Sequence, residues 1–317
     1  MGARVAAWRN RPEVAVAAKW GRRLMLAGVI VYLCYRLSQV GWADLLQNLP
    51  SSIWFYVIFA VRYLALPFSE VPAYERVWKV PLWKYITAFI RKRVYNSAVV
   101  GYSGEAFFTL WARRRLDLPE KVILFGVKDN NILSAFASNF STVALILFLL
   151  IGDNLQPGLD AAPGAVFFFV LAFLSSFGLV AAVVLFGSKV LHVTRRDAAF
   201  IATIHGVRML ATIVLHAALY AVAIPGTPLE VWLVFIALQL VISRIPFLPN
   251  QDLVFLGAAL SLASITGAPE AAIAGMLVTE ACLSLILSVA FFAVTAHDAR
   301  MPKVPAEKCP KANGMKP

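Results

Sequence analysis

The chain has 317 residues, 60% hydrophobic and 15% charged, with a mean hydropathy of +0.75. That balance excludes a soluble domain and indicates a polytopic all-α membrane protein, because several runs approach the roughly 20 apolar residues a spanning helix needs. The net charge of +12 fits cytoplasmic loops and anionic headgroups better than nucleic acid, and Cys34, Cys282 and Cys309 suggest neither a disulfide framework nor a metal site.

Residues 1–23 carry Arg4, Arg9, Arg11, Lys19, Arg22 and Arg23 and read as a basic, amphipathic cytoplasmic segment. No small-residue cleavage site follows, so the next apolar run is expected to be a signal anchor. Ala6 stands where a myristoylation pattern needs Ser or Thr, and that modification is rejected. A single transmembrane domain is expected over 24–296, then a basic, Pro-rich cytoplasmic tail over 297–317. The first two helices are predicted at 24–40 and 51–67, joined by a segment, 41–50, without Lys or Arg. Residues 68–84, with Arg76, Lys79 and Lys84, return to the basic side.

The stretch 91–115 opens on Arg91-Lys92-Arg93 and closes on Arg113-Arg114-Arg115, with Gly101-Tyr102-Ser103-Gly104-Glu105 breaking the apolar run between them. A carboxylate in the middle of an apolar segment is costly without a partner or a task. Basic clusters at both ends place both ends on one side of the membrane, which predicts a re-entrant hairpin sheltered by protein or a polar cavity. A polar connection over 116–128 precedes helices predicted at 131–151, 165–187, 199–224, 231–242, 253–264 and 271–295. The loops assigned to the outside lack Lys and Arg, which gives about eight crossings plus the hairpin, with both termini cytoplasmic. A hairpin that crossed once would place every later loop on the wrong side.

A second break falls at 242–256, where Pro246 and Pro249 remove backbone donors and Asn250, Gln251 and Asp252 follow. One polar break with a carboxylate in each half of the chain is the pattern of an inverted-repeat transporter with a site near mid-membrane.

Three local patterns, in order, are Gly41-Trp42-Ala43-Asp44-Leu45-Leu46, then Asn96 followed by Gly104-Glu105, then the Pro-rich segment from Pro246 to Asp252. In these the chain resembles the lysylphosphatidylglycerol synthase transmembrane family, also called the flippase-like domain family, over residues 24–295. Where that family has late glycines and a following acid, this chain has Asn250, Gln251 and Asp252. The resemblance implies lipid translocation in a bacterial inner membrane, without the aminoacylating chemistry of a lysyl-transferase domain and without a cofactor. The lipid would be an anionic phospholipid, a polyisoprenoid or a hopanoid-type molecule, and a homo-oligomer or a lipid-synthesis enzyme would be the protein partner.

The candidate headgroup cavity draws on both broken elements. From the first come Arg91, Asn96, Ser103, Gly104, Glu105 and Arg113; from the second come Arg244, Asn250, Gln251 and Asp252; Arg62, His205 and Arg208 join them from predicted helices. Glu105 is expected to pair with Arg62, Arg91 or Arg208 or to accept from lipid hydroxyls, or else to stabilise exposed amides at the start of the second hairpin arm. Arg91 and Arg113 are expected nearest the cavity, although positive-inside anchoring accounts for most of the basic residues. His205 and Arg208, three apart, share a helical face and are expected to line a polar path with Glu105 or Asp252; snorkelling to the interface is an equal alternative for Arg208. His216 reads as a packing residue. Glu280, deep in the last helix, needs a partner or a proton and ranks below Glu105. Asn130, Asn131 and Asn139 mark a face for interhelical hydrogen bonds. The aromatic stretches around 54–63 and 167–173 read as lipid-facing or interfacial belts. Two other functions remain open: a membrane-embedded lipid-modifying transferase, against which there is no His-rich cluster or nucleophile elbow, and a non-catalytic envelope-assembly scaffold.

Overall fold

Apolar runs punctuated by proline, glycine and basic residues become helices along the chain. A computed structural model describes residues 31, 43, 47–98, 103–152, 163–243, 251–266 and 269–296. Among them no strand occurs, and the helices are α1 (Ile53–Trp78), α2 (Ile86–Ala98), α3 (Ser103–Arg115), α4 (Glu120–Ile151), α5 (Pro163–Val190), α6 (Arg195–Ala223), α7 (Leu229–Ile242), α8 (Gln251–Thr266) and α9 (Glu270–Val294). Four of these, α1, α4, α6 and α9, are long and apolar enough to cross a membrane. Shorter apolar helical stretches lie at Phe173–Gly187, Leu229–Ile242 and Val254–Ala263.

The later helices fall within a few residues of their predicted bounds, whereas two earlier boundaries are corrected. The expected end of the second helix at 67 and the separate segment 68–84 merge, because α1 continues through Pro67 and Pro72 to Trp78. The Ser69 hydroxyl donates to the Leu66 carbonyl at 2.9 Å beside the first of these prolines. α1 stops at Lys79, whose φ of 57° is left-handed and whose N–H bonds the Glu75 carbonyl at 2.9 Å; Pro81 then bars any continuation. The polar connection predicted over 116–128 is also shorter, since α4 already begins at Glu120. Residues 1–23, the predicted helix 24–40 apart from Val31, the Pro246–Pro249 break, Arg244 and Asn250, and the tail 297–317 lie outside the described residues, as does the Asp252 side chain.

The chain divides into two compact units. One comprises Met1–Arg62, Ser138–Val184 and Met209–Leu283; the other comprises Tyr63–Ala137, Leu185–Arg208 and Ser284–Pro317. In the first unit the buried residues come from the start of α1 (Phe55, Phe59), from α7 (Trp232, Phe235, Ile236) and from α8 (Phe255, Leu256, Leu260), among others. α7 packs on α8. Tyr220 of α6 sits 5.4 Å from the Trp232 ring, so aromatic burial ties α6 to α7.

In the second unit α2 and α3 form an antiparallel hairpin. Tyr95 meets Phe107 at 5.0 Å near its tip, Phe89 meets Phe108 at 4.7 Å, and Tyr85 meets Trp111 at 5.2 Å toward its open end. Tyr74 and Trp78 of α1 pack on Phe108, and Ile123 and Val127 of α4 complete this core. The aromatic stretch predicted as a lipid-facing belt is divided: Trp54 is exposed, whereas Phe55, Phe59 and Tyr63 are buried. Only one side of a helix can face lipid, and the opposite side carries the packing.

Candidate functional site

The hairpin junction in the second unit is closed by its own polar residues. The Asn96 Oδ1 accepts from the Gly104 N–H at 2.7 Å, and the Asn96 Nδ2 donates to Glu105 Oε1 at 3.1 Å. The Ser103 hydroxyl donates to the Tyr95 carbonyl at 2.7 Å. One asparagine thereby accepts from an amide and donates to one carboxylate oxygen in the first turn of α3, groups no helical bond can reach. Gly104 allows this approach: a Cβ there would collide with the Lys92 carbonyl oxygen and lie 2.7 Å from Asn96 Oδ1.

Among the described residues the cation within ion-pair distance of Glu105 is Lys92, at 3.5 Å, where sequence had suggested Arg62, Arg91 or Arg208. Lys92 is 1% exposed and donates to Glu70 Oε1 of α1 at 2.5 Å, with the Tyr74 hydroxyl at 3.5 Å. Two carboxylates thus neutralise one buried ammonium, and Glu105 Oε2 has no hydrogen-bond partner. The basic cluster at 91–93 therefore does not act as one patch. Arg91, 3% exposed, donates to the Phe292 carbonyl at 3.1 Å and to the Thr295 hydroxyl at 3.3 Å, with its guanidinium 4.5 Å from the Phe292 ring centroid. It caps the C-terminal end of α9, where unpaired carbonyls favour a cation. Arg113 is half-exposed and pairs with Glu120 at 2.6 Å.

His205 and Arg208 also lie in the second unit. His205 Nε2 is 3.0 Å from Asn130 Oδ1, an interhelical hydrogen bond on the polar face expected for α4. Arg208 donates to the Ser134 hydroxyl at 3.4 Å. Asp129, one residue from Asn130, accepts from the N–H groups of His192 and Val193 at 2.7 and 3.0 Å and so fastens the α5–α6 connection to α4.

The first unit holds a cavity of about 190 Å³ lined by residues of α1, α6, α7 and α8 with Ser243. Arg62 and His216 face it, with Thr212, Gln239, Ser243 and Gln251 as further polar lining and Met209, Ile213, Ile236 and Leu240 as the apolar wall. Arg62 forms an ion pair with Glu280 of α9. Its Nη1 lies 3.4 Å from His216 Nδ1. A guanidinium has no lone pair to offer, so His216 Nδ1 accepts and its ring proton sits on Nε2. That Nε2 points towards Glu280 Oε1 at 3.5 Å, too long for a good hydrogen bond. Arg62 Nε and Glu280 Oε2 are buried without a hydrogen-bond partner.

Of the residues singled out in sequence, Arg62 and Gln251 line this cavity, while Asn96, Ser103, Gly104 and Glu105 build the hairpin junction. His216, Glu280 and Gln239 acquire prominence only in the fold. One acid, one base and one histidine, each in a separate apolar helix, were the available signal, since each needs a partner within hydrocarbon. Compared with protein-family models, curated proteins and solved structures, the chain has no match in any of the three.

Proposed function

We propose that this protein translocates or presents a membrane lipid, admitting its headgroup to the cavity beside Arg62 and His216. The carrying observation is a cavity, apolar over most of its wall but faced by Arg62 and His216, between helices of which two, α1 and α6, are long and apolar enough to span a membrane. Charged and polar groups within spanning segments are expensive and mark substrate paths. The resemblance to flippase-like proteins points the same way. In this reading the chain crosses a bacterial inner membrane about eight times, with both termini cytoplasmic and base-free loops outside. The α2–α3 hairpin re-enters from the basic side. Its antiparallel course, with Tyr85 and Trp111 in contact toward the open end, supports that assignment, as does the protein shelter around Lys92, Glu70 and Glu105.

Transport follows from alternating exposure of the cavity to the two leaflets, with the lipid chains left in the bilayer. The test is movement of a fluorescent phospholipid between leaflets of proteoliposomes, read by surface quenching. Wild-type protein is expected to accelerate it, and a folded Arg62→Gln variant to lose most of the acceleration. Unchanged movement in that variant places the headgroup path elsewhere; no movement with wild type favours the scaffold.

A further inference from the structure

We infer that the cavity of the first unit is a site for one phosphate-type anion, which binds Arg62 in competition with Glu280. The inference deepens the headgroup reading and rests on it only for the source of the anion. Among the described lining residues the charged side chain is Arg62, and none is acidic; Glu280 neutralises Arg62 without itself lining the cavity. The polar lining beside Arg62 can donate: the Gln239 and Gln251 amides carry N–H groups. Arg62 Nε is a buried donor without a hydrogen-bond partner. Gln251 opens the 16-residue helix α8, and a helix N-terminus favours negative charge.

Size narrows the ligand further. A cavity of about 190 Å³ is below the roughly 300–1,000 Å³ of pockets that swallow drug-sized molecules. It has room for a phosphate and a short polar substituent. A guanidinium matches a phosphate through two parallel donors, and Glu280 already takes one Nη2 donor of Arg62 and sets a negative charge beside the site. Ligand and carboxylate therefore compete for the positive charge of one guanidinium. A purely structural ion pair carries no such competition.

The experiment measures binding of sn-glycerol 3-phosphate, inorganic phosphate and glycerol by calorimetry, in chloride-free buffer with detergent-solubilised protein. Both phosphates are expected to bind and glycerol not to. Arg62→Gln is expected to weaken binding roughly thirtyfold or more. Glu280→Gln is expected to tighten it about tenfold, because the resident competitor is gone. Gln239→Leu, which leaves the ion pair intact, is expected to weaken it several-fold and keeps the test decisive if an ion-pair variant fails to fold. Absence of phosphate binding by folded wild type overturns the site, as does weaker binding by folded Glu280→Gln. A parallel arm compares retention of phosphatidylglycerol and diacylglycerol from nanodiscs by native mass spectrometry. Arg62-dependent retention of phosphatidylglycerol identifies a lipid source. Phosphate binding without lipid retention supports the anion site and overturns the lipid-headgroup reading.

Discussion

Replacing Gly104 with alanine tests whether the α2–α3 hairpin is held by close backbone approach. The new Cβ would collide with the Lys92 carbonyl and lie 2.7 and 2.8 Å from Asn96 Oδ1 and Cγ. The carbonyl belongs to a helix and cannot swing aside, so the arms must separate, at an overpacking cost of about 1–3 kcal/mol. Separation also weakens the Gly104–Asn96 hydrogen bond, for about 1 kcal/mol more. Better helix propensity returns up to about 1 kcal/mol, leaving a net loss of about 1–3 kcal/mol. Gly206 in α6 is the control, since a Cβ there meets nothing within 4 Å; Gly206→Ala is expected to be neutral or to gain up to about 1 kcal/mol. SDS titration of both variants in mixed micelles, followed by circular dichroism, should therefore separate them by about 2–4 kcal/mol. Equal stability of the two would refute the close-approach account of the hairpin.

Removal of the Lys92 charge in Lys92→Met leaves Glu70 and Glu105 facing each other without a cation and is expected to cost about 3–5 kcal/mol. The same denaturation measurement on Lys92→Met/Glu70→Met should recover at least half of that loss. Asn96→Ala removes the acceptor for the Gly104 amide and the donor to Glu105, with an expected cost of about 1–3 kcal/mol; Asn96→Asp, which cannot donate, should not restore stability. By contrast, Glu120→Gln breaks a pair whose side chains are 41% and 55% exposed, and its effect should stay within about 1 kcal/mol in the same titration.

Hydropathy alone placed the later helices well, because the apolar run of an element such as α9 is bounded by polar residues whatever it packs against. The hairpin was also legible, from Gly104-Glu105 between two basic clusters, and Asn130 was rightly assigned to an interhelical hydrogen bond. Local rules failed at Pro67 and Pro72, where a proline usually ends a helix but α1 continues. They failed again for the basic residues. Arg91, Lys92 and Arg113 look alike as letters, yet one caps a helix 201 residues away, one is buried against Glu70 and one pairs at the surface. Arg62 and Glu280 are 218 residues apart, and no local pattern links them or adds His216. Hydropathy depends on a residue and its near neighbours, so sequence settles which segments suit a membrane. Which charge neutralises which, and where a cavity opens, depends on side chains that only tertiary packing brings together.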